Sequence, residues 1–222
     1  MRLRRAAALI ARPLNASVRR LEVSTMRNSL ATLTVLVHLA GCAGVGVVAS
    51  SDPETKLSDA SQLLTQQDRP LLAERLIREA MASYQGTGNA QGLGHAYRQY
   101  AEFLESPQVA AEPYYRQMRF QDATVTYDNR LAKSAEYYSM AIAQYQIAEK
   151  LYRAASRFDQ LTNVYYNMAL SYERLNDAVH ACGFYEKALG AYKQNIQSNP
   201  TAKPRGNVEN TLASAKQKLR CA

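Results

Sequence analysis

The 222-residue chain contains no Trp and only three Cys and three His. His38, His95 and His180 are far apart in the sequence, and neither His95 nor His180 has a second ligand at helical spacing. We therefore expect no metal site. Cys182 lies two residues after His180, and on a helix this spacing directs the two side chains apart. The pair is therefore a poor candidate for a nucleophile and its base.

The chain also has no segment that is convincing as a β-strand. Glycines are paired at Gly86-x-Gly88 and Gly92-x-Gly94, but a dinucleotide-binding loop requires a preceding strand. Ser and acidic residues occur in no strand–turn–helix setting of the kind that hydrolases use. We therefore expect a protein that is not an enzyme and that has no cofactor.

Positive charge is concentrated at the N-terminus. The formal net charge is +8, but residues 1–41 hold seven Arg and one acidic residue, which leaves 20 basic and 18 acidic residues elsewhere. The remainder is nearly neutral, so the charge gives no electrostatic argument for nucleic-acid binding.

Residues 26–41 have the pattern of an export signal. Met26-Arg27 precedes an uncharged run whose apolar part, Ser29 to Ala40, leads into Leu39-Ala40-Gly41-Cys42. This segment resembles a bacterial lipoprotein signal. The resemblance implies that Cys42 is lipidated and becomes the new N-terminus. Ala43, the residue after this cysteine, then favours anchoring of the protein in the outer membrane, on the side that faces the periplasm.

Other interpretations of the N-terminus remain open. Asn28 to Ser51 carries no charge and could be an uncleaved membrane anchor, since about 20 apolar residues span a bilayer. The Arg-rich residues 1–25 resemble an organellar transit peptide or a twin-arginine start. We interpret them as an N-terminal extension, or as residues that result from a start codon assigned too far upstream of the true start at Met26.

The stretch Tyr165 to Ala188 predicts two short amphipathic helices with a turn at Asn176-Asp177. Each helix has one stripe of bulky and small residues: Tyr165, Met168, Ala169 and Tyr172, then Ala181, Tyr185 and Ala188. The stretch resembles a tetratricopeptide repeat (TPR), although Tyr replaces the first Trp and Ala replaces Gly.

Related patterns indicate further copies. Residues 73–97 match residues 148–172 at a constant offset of 75, and Leu93-Gly94-x2-Tyr97 keeps the Leu-Gly pair of the TPR pattern. The offset of 75 residues is near twice the length of one repeat, so we expect a middle repeat unit between the two matched segments. In it, residues 129–158 form one long helix or, as we favour, two helices that meet near Ser139 to Gln144. Residues 106–128 are expected to be a degenerate helix and a loop.

The predicted fold is all-α, a short TPR-like solenoid of helical hairpins with a C-terminal capping helix. Residues 42–55 would be a flexible tether, residues 56–200 the solenoid and residues 201–222 the cap. Helices would begin near Lys56 and after an Asp68 N-cap at Pro70. Cys182 and Cys221 could pair in an oxidising periplasm, or they could be unrelated.

The TPR resemblance also implies a groove lined by the first helix of each hairpin. The residues predicted to line this groove and bind a protein or peptide are Gln91, His95, Arg98, Asn163, Tyr166, Leu170 and Glu173, with Ala132, Glu136 and Ser139 from the middle unit. The alternative is that Tyr166 and its neighbours are solvated helix faces or lie under the terminal helix. We expect a membrane-tethered adaptor or scaffold of the bacterial envelope. The alternative is a structural subunit that self-associates through its helical faces.

Overall fold

The computed structural model describes residues 50–117, 119–199, 201 and 207–221, and over these residues the protein is all-α, without a strand. The fold class is therefore confirmed. The described helices are α1 (Pro53–Thr65), α2 (Pro70–Thr87), α3 (Ala90–Glu105), α4 (Pro107–Ala111), α5 (Pro113–Gln117), α6 (Arg130–Ala154), α7 (Phe158–Arg174), α8 (Ala178–Ser198) and α9 (Val208–Leu219). None of them has the length and apolar character needed to cross a bilayer. The predicted signal, Cys42 and residues 42–49 of the predicted tether lie outside the described residues.

The long helices pack as three successive hairpins. α1 packs against α2, α3 against α6, and α7 against α8, and each hairpin also contacts the next through α2–α3 and α6–α7. The α3–α6 pair is antiparallel, because Gln91 bonds to Tyr152 near one end and Glu105 bonds to Ser134 near the other. The first helices of the three hairpins also contact each other, α1 with α3 and α3 with α7.

Two clusters of buried side chains form the core. One joins α1, α2, α3 and the segment after α3, and it includes the fully buried Tyr100, Phe103 and Tyr115. The other joins α6, α7, α8 and α9 around Tyr145 and Tyr185. Tyr97 on α3 packs against both clusters. In a chain without Trp, tyrosines therefore supply most of the large buried rings.

The expectation that residues 129–158 form two helices is wrong, because α6 runs unbroken from Arg130 to Ala154. The segment between Tyr138 and Ala148 contains no Gly, Asn or Pro to end a helix. Ser139 lies inside the helix and donates its hydroxyl to the Ala135 carbonyl at 3.0 Å. The buried residues Tyr138, Ala141, Ile142, Tyr145 and Ala148 form one continuous stripe toward the core.

The offset of 75 therefore relates neighbouring hairpins, and the expected middle unit is absent from the described residues. The matched segments are α2 with α3 and the second half of α6 with α7. The extra length between them consists of α4, α5, the segment that follows and the first half of α6. The α3–α6 pair is thus one hairpin with an insertion, where the sequence pattern predicts parts of two hairpins.

A buried carboxylate fastens this insertion to the first hairpin. Glu74 on α2 is 2% exposed. It accepts hydrogen bonds from the hydroxyls of Tyr100 and Tyr115, both at 2.9 Å, and from the backbone N–H of Gln121 at 2.7 Å. Burial raises the pKa of Glu74 against the opposing effect of these donors. Hydrogen bonds thus join α3, α5 and Gln121 to the single side chain of Glu74.

Two predicted helix starts differ from the structure. α1 begins at Pro53, because the Asp52 carboxylate caps it by accepting from the Thr55 N–H at 2.8 Å. Residues 53–55, which the sequence assigned to the end of a tether, therefore belong to α1. Asp68 is not an N-cap: its φ of 50° places it in the left-handed region, and Arg69 precedes Pro70 as the cap residue.

The C-terminal helix α9 packs antiparallel on α8. Its last turn is joined to the first turns of α8 by a disulfide between Cys182 and Cys221, whose Cα atoms are 5.6 Å apart. Lys216 forms an ion pair with Glu186 on α8. Leu212 is the buried side chain of α9. Val208, Ala215 and Leu219 pack partly buried against the second core cluster. Apolar contacts, one covalent bond and surface charges therefore hold this helix.

Candidate functional site

A cleft of about 520 Å³ lies on the side of the molecule formed by α1, α3 and α7. Ser61, Leu64 and Thr65 line it from α1, Gln99, Glu102 and Glu105 from α3, and Arg174 from the end of α7, with residues 106–108 closing one end. Most of its lining residues are polar, but Leu64, Pro107 and the aliphatic parts of the other side chains make more of the exposed lining apolar than polar. Because three separate helices build its walls, the packing of the hairpins fixes its shape.

The charges in the cleft are partly matched within the protein. Glu102 accepts a hydrogen bond from Arg98 one turn earlier on α3. Arg174 lies 3.9 Å from Glu105, which also accepts from the Ser134 hydroxyl at 2.9 Å and the Tyr138 hydroxyl at 3.1 Å. Glu105 is therefore held in place by α6, while Arg174 keeps 57% of its side-chain surface exposed. Arg174 is thus the charged group best placed to contact a ligand.

His95 lies deeper, between α3, α6 and α7. Its ring centroid is 5.6 Å from that of Tyr145, and its Nε2 atom is 3.4 Å from Asn167 Nδ2. Burial lowers the pKa of His95 to about 4, and the nearby Arg98 charge adds to the effect. His95 is therefore neutral at neutral pH. It supplies a packed ring between the helices and no positive charge, and it does not line the cleft.

The predicted groove residues of α7 lie elsewhere. Asn163 and Tyr166 face α9 across a pocket of about 230 Å³ lined by Val208, Thr211 and Leu212. Leu170 is half-buried against the second core cluster. These residues therefore do not line the α1–α3–α7 cleft, and α9 packs beside part of this face of α7.

Glu173 is also engaged by neighbouring helices. Its carboxylate accepts hydrogen bonds from Lys218 Nζ at 2.6 Å and from the Tyr185 hydroxyl at 3.0 Å. Burial raises the pKa of Glu173, but the two donors outweigh it and hold the pKa below its ordinary value. The side chain therefore joins α7 to α8 and α9.

The remaining predicted groove residues are similarly dispersed. Gln91 accepts a hydrogen bond from the Tyr152 hydroxyl at 2.7 Å and so helps to join α3 to α6. Ala132, Glu136 and Ser139 are exposed on α6, which is the second helix of its hairpin and does not line the cleft. Of the seven predicted contact residues in α3 and α7, Arg98 comes nearest to the cleft, through its bond to Glu102.

Several cleft residues were missed by the sequence analysis, yet a signal for two of them was present. Gln99 and Arg174 are related by the offset of 75, two residues beyond the matched segment. Extending the match would have placed them at equivalent positions on α3 and α7. Ser61, Leu64 and Thr65 had no comparable signal, because α1 has no matched copy.

Within the described part of the chain, no group of three or more His, Cys, Asp or Glu residues is arranged to hold a metal ion. Comparisons with protein-family models, with curated proteins and with solved structures gave no match to this chain. The functional argument therefore rests on the cleft, the hairpins and the sequence motifs.

Proposed function

We propose that the protein is a non-catalytic adaptor with hairpins of the tetratricopeptide type, which binds a protein partner in the α1–α3–α7 cleft. The observation that carries this proposal is that the first helices of three successive hairpins contact each other and contribute residues to one cleft. Further support comes from Gly94, Ala169, Ala181 and Ala188, which are buried at helix contacts where the repeat pattern has small residues.

The cleft has the chemistry of a polypeptide-binding surface. Gln, Glu, Ser, Thr and Arg side chains offer donors and acceptors at several points along α1, α3 and α7. Surfaces that combine polar groups with a similar or larger apolar area are ordinary in non-obligate protein interfaces. The exposed Arg174 favours a partner segment that presents a carboxylate or backbone carbonyls to it.

We further propose that a lipid on Cys42 tethers this adaptor to the bacterial envelope, at the outer membrane facing the periplasm. The support is the Leu39-Ala40-Gly41-Cys42 sequence after a basic start and an apolar run. Replacing Cys42 by Ser is expected to abolish acyl labelling and to release the protein from membranes. Unchanged labelling of the Cys42→Ser chain would contradict the tether.

Site-specific photo-crosslinking tests the partner site. A photoreactive amino acid is placed at Ser61 in the cleft or, as a control, at Gln217 on the exposed side of α9, and native envelopes are irradiated. We expect a distinct partner adduct from position 61 alone. Arg174→Glu is expected to weaken this adduct about tenfold, whereas Glu209→Lys on α9 leaves it unchanged. Equal adducts from both positions would overturn the cleft as the binding site.

A second function, a self-associating structural subunit, is favoured by a different observation. Of the eight large apolar side chains that are exposed among the described residues, four lie on α6: Leu131, Met140, Ile147 and Leu151. Sedimentation of the full chain over a range of concentrations distinguishes a monomeric adaptor from such a subunit.

A further inference from the structure

α6 has apolar residues on its outer side as well as toward the core. Along its outer side, Met140, Ala143, Ile147, Leu151 and Ala154 recur at intervals of three or four residues and so form one stripe. Met140, Ile147 and Leu151 are 41%, 47% and 60% exposed, and the two alanines are exposed as well. The stripe is about 21 Å long at 1.5 Å per residue. An apolar stripe of this length on a helix is typical of a contact surface.

The order of large and small residues in this stripe is self-complementary when the helix is reversed. Met140 and Ala154 lie seven residues on either side of Ile147, and Ala143 and Leu151 lie four residues on either side. An antiparallel pair of α6 helices centred on Ile147 therefore sets Met140 against Ala154, Ala143 against Leu151, and Ile147 against its own copy. Each bulky side chain outside the centre meets an alanine.

Charges at the ends of the stripe fit the same arrangement. Lys133 and Glu136 lie before the stripe, and Glu136 keeps 59% of its side chain exposed. Arg157 and Asp159 lie after it and are 54% and 46% exposed. In the antiparallel pair, the Lys133–Glu136 ion pair of one copy lies at the same end as the Arg157–Asp159 ion pair that follows α6 in the second copy, so charges of both signs meet there. A parallel pair would instead place Glu136 beside Glu136 and Leu151 beside Leu151, which gives like charges and no space for the side chains.

We propose that the outer stripe of α6 is a two-fold, antiparallel interface between two copies of this chain. The same surface contributes from both copies, as a two-fold dimer requires. This inference gives the self-association alternative a defined surface and does not depend on the cleft, which α1, α3 and α7 form. A single helix pair buries less than the roughly 1,600 Å² of a standard interface, so we expect dissociation in the micromolar range or above.

Cysteine cross-linking of the full chain tests both the surface and its direction. Ile147→Cys is expected to give a disulfide-linked homodimer on mild oxidation, because the residue faces its own copy. Val179→Cys, at a position that is 83% exposed on α8, is the matched control, and the unsubstituted chain gives the background from its own cysteines. Cross-linking of Ile147→Cys at the level of the Val179→Cys control overturns the proposal, as does cross-linking only to a different protein.

The direction is tested with two singly substituted chains that carry different affinity tags. Met140→Cys mixed with Ala154→Cys is expected to give the mixed dimer at least about five times more efficiently than either chain gives with itself. Efficient self-linking of each single variant, with no excess of the mixed dimer, would contradict the antiparallel arrangement.

Sedimentation of the Ile147→Glu chain is a further check, since two carboxylates would face each other at the centre. We expect the dimer dissociation constant to rise about tenfold or more. An unchanged constant would overturn the interface. The Ile147→Glu chain should keep the partner adduct from position 61, so failure of the interface and failure of the cleft are distinguishable.

Discussion

The ring of Tyr145 lies directly against Gly94, where α3 and α6 approach each other. A Cβ atom added at Gly94 would be 2.7 Å from Tyr145 Cε1, which is closer than such atoms approach in proteins. Tyr145 is completely buried and so has no free space into which to move. The contact requires glycine at position 94, and it joins the first helix of the second hairpin to the second.

Gly94→Ala is therefore expected to destabilise the protein, even though Ala ordinarily favours a helix. We expect a loss of about 1–3 kcal/mol in the free energy of unfolding, measured by urea denaturation, because the added methyl group overpacks the contact. Gly190→Ala on α8 is the matched control. A Cβ at position 190 meets nothing within 4 Å, so this change should stabilise the protein by up to about 1 kcal/mol. Equal effects of the two changes would contradict the close contact at Gly94.

Glu74 is expected to respond differently to two substitutions. Glu74→Leu leaves the hydroxyls of Tyr100 and Tyr115 and the Gln121 N–H without their acceptor, so we expect a loss of about 2–4 kcal/mol at pH 7. Glu74→Gln keeps an acceptor and removes a buried charge, so it should cost less than about 1 kcal/mol. Urea denaturation of both variants measures the difference. Equal losses would contradict the role of the carboxylate as a shared acceptor.

Ionisation of Glu74 should also affect the pH dependence of stability. Its pKa is raised in the folded protein, so folding becomes less favourable as the pH rises from about 4.5 through the folded pKa. Glu74→Gln should remove this contribution. Stability measured from pH 4 to pH 8 would show a difference between the two proteins that grows with pH and then becomes constant. A constant difference over the whole range would contradict the raised pKa.

His95 should make the protein sensitive to acid. The folded pKa is about 4, whereas the ordinary value is 6.5, so between these values the unfolded chain binds a proton that the folded protein does not. Stability should therefore fall as the pH decreases from about 6.5 to 4, by up to about 3 kcal/mol. We expect His95→Gln to reduce this slope. An NMR titration of His95 with its midpoint near 6.5 would contradict the prediction.

The disulfide should control how firmly α9 stays on α8. With Cys182 and Cys221 joined, intact mass should increase by two hydrogen masses on reduction. We expect reduction to expose Val208–Leu219 to proteolysis before the other helices, since α9 buries only Leu212 well. Cys182→Ser should reproduce this sensitivity without reductant. Equal cleavage of the oxidised and reduced protein would show that the bond is not required.

The sequence predicted the hairpin of α7 and α8 well, because its signals are local. Tyr165, Met168 and Ala169 face the core as their spacing indicated, and Asp177 caps α8 by accepting from the His180 N–H. The long helix α6 was misjudged for the opposite reason. Its spacing of Tyr138 and Ala148 matched two repeat halves, while the absence of a helix-breaking residue between them was the stronger local signal.

The location of the cleft could not be predicted, since it depends on contacts between distant segments. The face of α7 that carries Asn163 and Tyr166 would be open in an isolated hairpin. In the structure α9 packs over it, and no local pattern in residues 158–174 records that arrangement. The position of α5 depends in the same way on Glu74, whose partner Tyr115 lies 41 residues later in the chain.

The insertion between α3 and α6 also has a consequence for the order of folding. Residues 106–129 separate these two helices, whereas residues 175–177 separate α7 from α8. Closing the longer loop costs about 2 kcal/mol more in chain entropy. We therefore expect the α7–α8 hairpin to form early in folding and the α3–α6 pair to form late. Residues 66–69 separate α1 from α2, so in a chain synthesised from its N-terminus the two outer hairpins would each form early and the central α3–α6 contacts would close last.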